Sequence, residues 1–166
     1  QWYAYYSEKR IVHQWFQVKL LENLPVQRIM EIGPAYGVPT ALLANAGYEV
    51  TTLDFMKRDL LGASSHIIAD LWKATPEVYS NQDCILCCEV LEHFPFEKSC
   101  DLLSKFYKSK VPYLILSVPY NAPQLNFSLY VNSHTIKKHT AFKFRNSFRA
   151  FKKGDPVDGQ LGHQWE

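Results

Sequence analysis

The spacing of apolar residues changes period several times in the first 120 residues, and each change marks an element. In residues 7–24 the apolar positions Ile11, Val12, Trp15, Phe16, Val18 and Leu21 recur at helical intervals. They predict a helix with one broad core-facing side, capped by Ser7 and stopped by Pro25. A short apolar run at Arg28–Ile32 predicts a strand that runs into a glycine loop. Pro39 suits the first turn of the following helix, where its missing N–H would have no partner, and Gly47 suits the end of that helix. Further strands are predicted at residues 48–53, 66–69 and 83–88, the last apolar throughout, as a central strand covered on both faces must be. A helix at Phe96–Lys108 presents Leu102, Leu103, Phe106 and Tyr107, and a fifth strand covers residues 111–118. Beyond Pro119 the turn residues of PYNAPQLNFSLYVNSH predict a loop.

Alternating strands and helices predict an α/β fold: a Rossmann-like, doubly wound, mostly parallel sheet with helices on both faces. A length of 166 residues fits a single domain. Within it, residues 1–25 are expected to hold the N-terminal helix, 26–121 a ligand-binding core and 122–166 a substrate-side insertion. The chain opens on Gln, so a trimmed fragment is expected. With 47% hydrophobic and 20% charged residues, disorder and fibrous repeats are excluded. No apolar run is long enough to span a bilayer and no signal-peptide pattern stands at the start, so no membrane partner is expected and a cytoplasmic location is. Cys84, Cys87 and Cys88 lie in one apolar run and Cys100 stands apart, which predicts buried free thiols rather than a disulfide framework.

The net charge of +2 is an average over unlike parts. Residues 137–153 hold seven Lys or Arg and no Asp or Glu, leaving 11 basic against 16 acidic residues elsewhere. Within the acidic part, the first glycine loop reads Glu31-Ile32-Gly33-Pro34-Ala35-Tyr36-Gly37. Its GxxxG spacing is not the GxGxxG of a dinucleotide site, and a carboxylate two residues before the first glycine would repel a pyrophosphate. It would attract a cation instead, and S-adenosylmethionine carries both an ammonium and a sulfonium. Asp54, with Phe55 beside it, ends the second strand where a carboxylate can accept two ribose hydroxyls, and Asp70 can accept from an adenine amino group with Leu71 against the ring. Plainer roles exist for each acid: Glu31 paired with Arg28, Asp54 as a solvated cap and Asp70 as a turn former.

EIGPAYG, TLDF, ADL, DCILCCEVLEHF and YLILSVPYN, in this order, resemble successive motifs of the class I S-adenosylmethionine-dependent methyltransferases across about residues 28–121. The resemblance implies that Glu31, Gly33, Pro34, Ala35, Gly37, Asp54, Phe55, Asp70, Leu71 and Glu89 bind S-adenosylmethionine. Ala35 departs from the pattern, since a middle glycine is frequent there. The family fold continues with a helix and an antiparallel hairpin, and too little patterned sequence follows residue 121 to predict them, so the hairpin is expected to be lacking.

Glu89, Glu92 and His93 place two carboxylates and an imidazole within about one turn. With His163 of the HQWE tail they resemble the site of metal-assisted O-methyltransferases and imply a divalent ion such as Mg²⁺. The same VLEH stretch also occurs in methyltransferases without a metal; there Glu92 and His93 would be the catalytic pair, His93 serving as general base. His13, His66, His134 and His139 have no comparable neighbours and read as surface or satisfied residues. Interleaved phenylalanines and cations in the basic segment suit an anionic small molecule, single-stranded nucleic acid or a structural cover. The methyl acceptor is therefore expected to be a small molecule or a nucleic acid, and an inactive methyltransferase-like module binding an anionic partner is the alternative to an enzyme.

Overall fold

Helix α1 (Glu8–Lys19) starts where the pattern placed it, with the Ser7 hydroxyl accepting the Arg10 N–H at 3.3 Å. The computed structural model describes residues 5–118, 124–131 and 136–143. Strand β1 (Arg28–Ile32) is followed by helix α2 (Val38–Asn45), with Pro39 in its first turn and Gly37 as its left-handed N-cap. Strands β2 (Glu49–Asp54), β3 (Ser65–Ile68) and β4 (Cys84–Cys88), helix α3 (Phe96–Lys108) and strand β5 (Tyr113–Ser117) complete this part of the chain. Single 3-10 turns at Pro76–Val78 and Leu91–His93 flank β4.

All five strands are parallel, in the order β3-β2-β1-β4-β5. The register sets Ile29 beside Val50 and Cys84, and Glu31 beside Thr52 and Leu86. Side chains alternate across a strand. Ile29, Val50, Cys84 and Leu86 accordingly join Leu21, Val26 and Leu43 in one buried cluster. On α3, Leu102 and Phe106 are buried, and the Phe106 ring meets Tyr79 edge-on at 5.1 Å. At the start of the sheet, Asp83 accepts the backbone N–H groups of Gln27 and Arg28 and pairs with the Arg28 guanidinium at 2.8 Å. Those donors hold its carboxyl well below the usual range.

Two expectations are corrected. Helix α1 ends at Lys19 rather than near residue 24, and the apolar face assigned to the core is divided. Leu21 is buried, whereas Val12, Trp15 and Phe16 are 54%, 48% and 58% exposed. The buried residue of the helix is Gln17, whose side-chain amide donates to Ser117 at the sheet edge, while the neighbouring Val18 packs partly buried against the apolar cluster. The segment read as a loop after Pro119 contains strand β6 (Gln124–Val131), paired antiparallel with β7 (Ile136–Lys143) as a separate two-stranded sheet. Leu125, Phe127, Leu129 and Val131 alternate strictly, a strand signal masked by the turn residues on either side. Part of the basic segment is therefore strand, with Lys137, Lys138 and Lys143 in β7; residues 144–153 lie outside the described residues. The chain divides into two units, Gln1–Val118 and Pro119–Glu166.

Candidate cofactor and methyl-transfer site

Strands β1, β2 and β4 bring their final residues to one edge of the sheet, the edge at which open α/β sheets bind ligands. Glu31, the penultimate residue of β1, is 3% exposed. The Thr40 hydroxyl of α2 donates to its Oε2 at 2.6 Å, and no cation pairs with it among the described residues. Burial raises its carboxyl to about 7, and the Thr40 bond opposes that shift only in part. Glu31 is thus not the partner of Arg28, which Asp83 takes.

The loop beyond it is built on left-handed residues: Gly33 at φ +65°, Ala35 at +49° and Gly37 at +80°. The Gly33 N–H donates to Leu53 at 2.9 Å and that of Gly37 to Pro34 at 2.8 Å, which folds the loop against β2. A Cβ on Gly33 would lie 2.9 Å from Val90 Cγ2, and one on Gly37 2.9 Å from Leu60 Cδ2. The middle position holds alanine, half-buried, at a φ that glycine prefers.

Asp54 closes β2 and is 6% exposed, not a solvated cap. Its Oδ1 accepts the Met56 N–H at 3.0 Å and its Oδ2 the Arg58 Nε–H at 2.8 Å. Two lone-pair positions remain for further donors. Phe55 is 69% exposed beside it. Asp70 accepts the Trp72 N–H at 3.0 Å and so does form the turn after β3, with Leu71 half-buried next to it. His66 bonds Thr52 and Met56 through its two ring nitrogens and is a satisfied residue, as the sequence pattern indicates.

At the exit of β4 the structure corrects the expected metal constellation. Glu89 has φ +57° and Val90 leaves it at φ −125°, so the carboxylates of Glu89 and Glu92 do not share one side of a helical turn. Glu89 accepts the Ser117 hydroxyl at 2.7 Å. Glu92 turns inward: it is 3% exposed, its Oε2 is buried without a hydrogen-bond partner among the described residues, and burial with the Glu89 charge raises its carboxyl to about 8. His93 is half-buried in the following 3-10 turn. Among the described residues no group of three or more His, Cys, Asp or Glu side chains can hold a metal ion, and His163 lies outside them. Glu89, Glu92 and His93, the expected ligands that are described, do not by themselves form a group that fits a divalent ion.

Several residues at this edge escaped the sequence pattern. His13 of α1, exposed as expected of a surface or satisfied residue, stands with Nε2 3.9 Å from Glu89 Oε1, a proximity the spacing does not show. Gln17, one turn on, donates to the Ser117 hydroxyl at 3.2 Å, which ties α1 to Ser117, the partner of Glu89. Tyr36 of the glycine loop packs edge-on against Tyr5 and Tyr6 at 4.9 and 6.3 Å, and the Tyr6 hydroxyl accepts the Val38 N–H at 3.4 Å. The aromatic run YAYY was the visible signal; its pairing with Tyr36 is a long-range contact. Cys84, Cys87 and Cys88 are free thiols in or beside the core, with burial raising Cys84 and Cys88 to about 12 and Cys87 well above its usual range, so they are inert.

No protein-family model matches the chain, and no curated protein matches it. Solved structures do. Magnesium protoporphyrin IX methyltransferase from Synechocystis PCC 6803 with bound SAM aligns with TM-score 0.52 at 23% identity, over 66% of this chain and 60% of that one. The methyltransferase domain of bacterial CtHen1-CN gives 0.53 at 14% identity, over 63% of each chain. The N-terminal domain of EvdMO1 in the presence of SAH and D-fucose gives 0.52 at 17%, over 90% of this chain and 63% of that one. The chain thus spans less than two thirds of the length of each. Its core has the class I methyltransferase fold. No helix among the described residues is long and apolar enough to cross a membrane.

Proposed function

We propose that the protein is an S-adenosylmethionine-dependent methyltransferase acting on a hydroxyl or amine of a small molecule or a nucleic acid. The observation that carries this reading is the meeting, at one sheet edge, of the buried Glu31 carboxyl, two glycines held at positive φ, and Asp54 and Asp70. Solved structures of the same fold hold SAM or SAH, which supports the choice of ligand.

Glu31 would supply the anionic side for the cofactor's ammonium, the Gly33–Gly37 loop with Pro34 and Ala35 a close backbone approach, Asp54 acceptors for ribose hydroxyls, and Asp70 with Leu71 and Phe55 the adenine end. S-adenosylmethionine supplies the electrophilic methyl group. The chain's own residues align the acceptor and take its proton. Glu89 and the two imidazoles at this edge, His93 and His13, are the groups for that step. Glu92 is enclosed and bears on it only through Glu89.

Calorimetry with S-adenosylmethionine, S-adenosylhomocysteine and NAD tests the assignment. Binding of the first two but not NAD is expected; binding of NAD alone, or of none by a folded chain, overturns it. A chain that binds the cofactor, methylates nothing in a broad acceptor panel and holds oligonucleotides with a steep salt dependence would instead be the non-catalytic module.

A further inference from the structure

Glu89 sits at φ +57°, a left-handed conformation that costs any residue but glycine and gathers at ligand sites. Ser117 of β5 holds it there from both ends. The Glu89 backbone N–H donates to the Ser117 carbonyl at 3.0 Å, and its Oε1 accepts the Ser117 hydroxyl at 2.7 Å. Gln17 of α1 braces that hydroxyl at 3.2 Å. One turn earlier on the same face of the helix, His13 sets its Nε2 3.9 Å from the same Oε1. That separation is too long for a direct hydrogen bond, but one atom at about 2.8 Å from each would lie within hydrogen-bond distance of both. No Lys or Arg pairs with Glu89 among the described residues. The two side chains are 49% and 40% exposed, so a ligand can reach them from solvent. They also stand beside the residues assigned to the cofactor: the Cys88 thiol, raised chiefly by burial, feels the charges of both Glu89 and Glu31.

We propose that Glu89 and His13 together grip the nitrogen of an amine and that this amine is the methyl acceptor, an inference that rests on the methyltransferase reading above. A carboxylate oxygen and an imidazole nitrogen, in the tautomer that leaves Nε2 unprotonated, are two acceptors converging on one point. An amino group has N–H bonds for both, whereas a hydroxyl has a proton for only one. The carboxylate also favours the cationic form in which an aliphatic amine arrives at neutral pH. An ammonium nitrogen has no lone pair, so it cannot attack until a proton leaves. His13 takes that proton on Nε2. The nitrogen's freed electron pair then forms the bond to the methyl carbon of S-adenosylmethionine, while the C–S bond breaks and its electrons pass to sulfur. The products are the N-methylated ammonium, still paired with Glu89, S-adenosylhomocysteine, and a His13 imidazolium that returns its proton to solvent.

Transfer of a radiolabelled methyl group from S-adenosylmethionine to matched amines and alcohols tests this on the full 166-residue chain. The pairs are phenethylamine and phenethyl alcohol, putrescine and butanediol, and glucosamine and glucose. Transfer to amines alone is expected. Glu89→Gln should raise the KM for the amine on the order of tenfold, and His13→Gln should lower kcat on the order of a hundredfold. Both variants should keep S-adenosylmethionine affinity within about threefold of wild type by calorimetry. Added imidazole should restore part of the rate to His13→Ala, which a merely structural histidine would not allow. Transfer to the alcohols instead, variants as active as wild type, or a Glu89→Gln chain that loses the cofactor overturns the proposal and leaves the methyltransferase reading in place. A wild-type chain that binds S-adenosylmethionine and methylates none of the amines likewise overturns it, and one that does not bind S-adenosylmethionine overturns both.

Discussion

The Thr40 hydroxyl donates a 2.6 Å hydrogen bond to Glu31 Oε2, joining the first turn of α2 to the end of β1 directly beneath the glycine loop. Among the described residues it is the one hydrogen-bond donor to a carboxyl that is almost wholly buried, and one donor does not replace the hydration that burial removes. Glu31 consequently sits near about 7, half ionised close to neutrality.

A cationic ligand beside Glu31 should draw the carboxyl back to its ionised form and release a proton. Calorimetry of S-adenosylmethionine binding slightly below neutrality, in two buffers of different protonation enthalpy, should show that release. Glu31→Gln should abolish it and weaken binding roughly tenfold or more, about 1.4 kcal/mol. Equal proton release by wild type and variant would show that another group is responsible.

Glu31 and Glu92 both have folded values above the ordinary Glu range, at about 7 and about 8. A group raised on folding keeps its proton while the unfolded chain loses it, so its stabilising contribution is complete below the unfolded value and is lost as pH rises through the folded one. Stability should therefore fall from about pH 4.5 to about 8 and then level off, with a slope on the order of 1.4 kcal/mol per pH unit for each group in its window. Urea melts across this range measure it. Glu92→Gln, which keeps the shape without the charge, should be more stable than wild type at the alkaline end; a wild-type slope in that variant would contradict the assignment.

The loop geometry ranks three substitutions. Gly33→Ala and Gly37→Ala combine a left-handed φ with a Cβ 2.9 Å from Val90 or Leu60, and each should cost about 1–3 kcal/mol in thermal unfolding. Ala35→Gly should stay within about 1 kcal/mol of wild type, since relief at φ +49° is offset by the added freedom of the unfolded chain. Costs at Gly33 and Gly37 no larger than the φ relief measured for Ala35→Gly would mean that φ alone decides, without the close contacts to Val90 and Leu60.

Arg58 is the charged partner of a nearly enclosed Asp54. Its removal leaves a buried carboxylate short of donors, and Arg58→Ala should lower stability by about 3 kcal/mol. Ribose hydroxyls are donors that can take the vacated place. The rise in melting temperature on adding S-adenosylmethionine should therefore be larger for Arg58→Ala than for wild type, and equal rises would separate Asp54 from the ribose.

Much of the core was legible because its signals are local. Arg28–Ile32 and Phe96–Lys108 fall where the periodicity set them, and Ser7 and Pro39 act in the first turns predicted for them, since caps and apolar periods depend only on near neighbours. Strand β6 carried the same kind of signal in Leu125, Phe127, Leu129 and Val131, but flanking turn residues outweighed it.

By itself, the sequence determined the order of strands and helices as far as β5, the glycines at positive φ in the first loop, and the carboxylates that end β1 and β2 and follow β3, because each depends on a few adjacent residues. Tertiary structure alone decided which side of α1 faces inward, that His13 and Gln17 reach the Glu89–Ser117 pair, and that Glu89 and Glu92 part company after β4. Those outcomes depend on contacts such as Gln17–Ser117, whose partners lie a hundred residues apart. Residue spacing records which side chains share a face. What that face meets is settled only when distant strands are brought side by side.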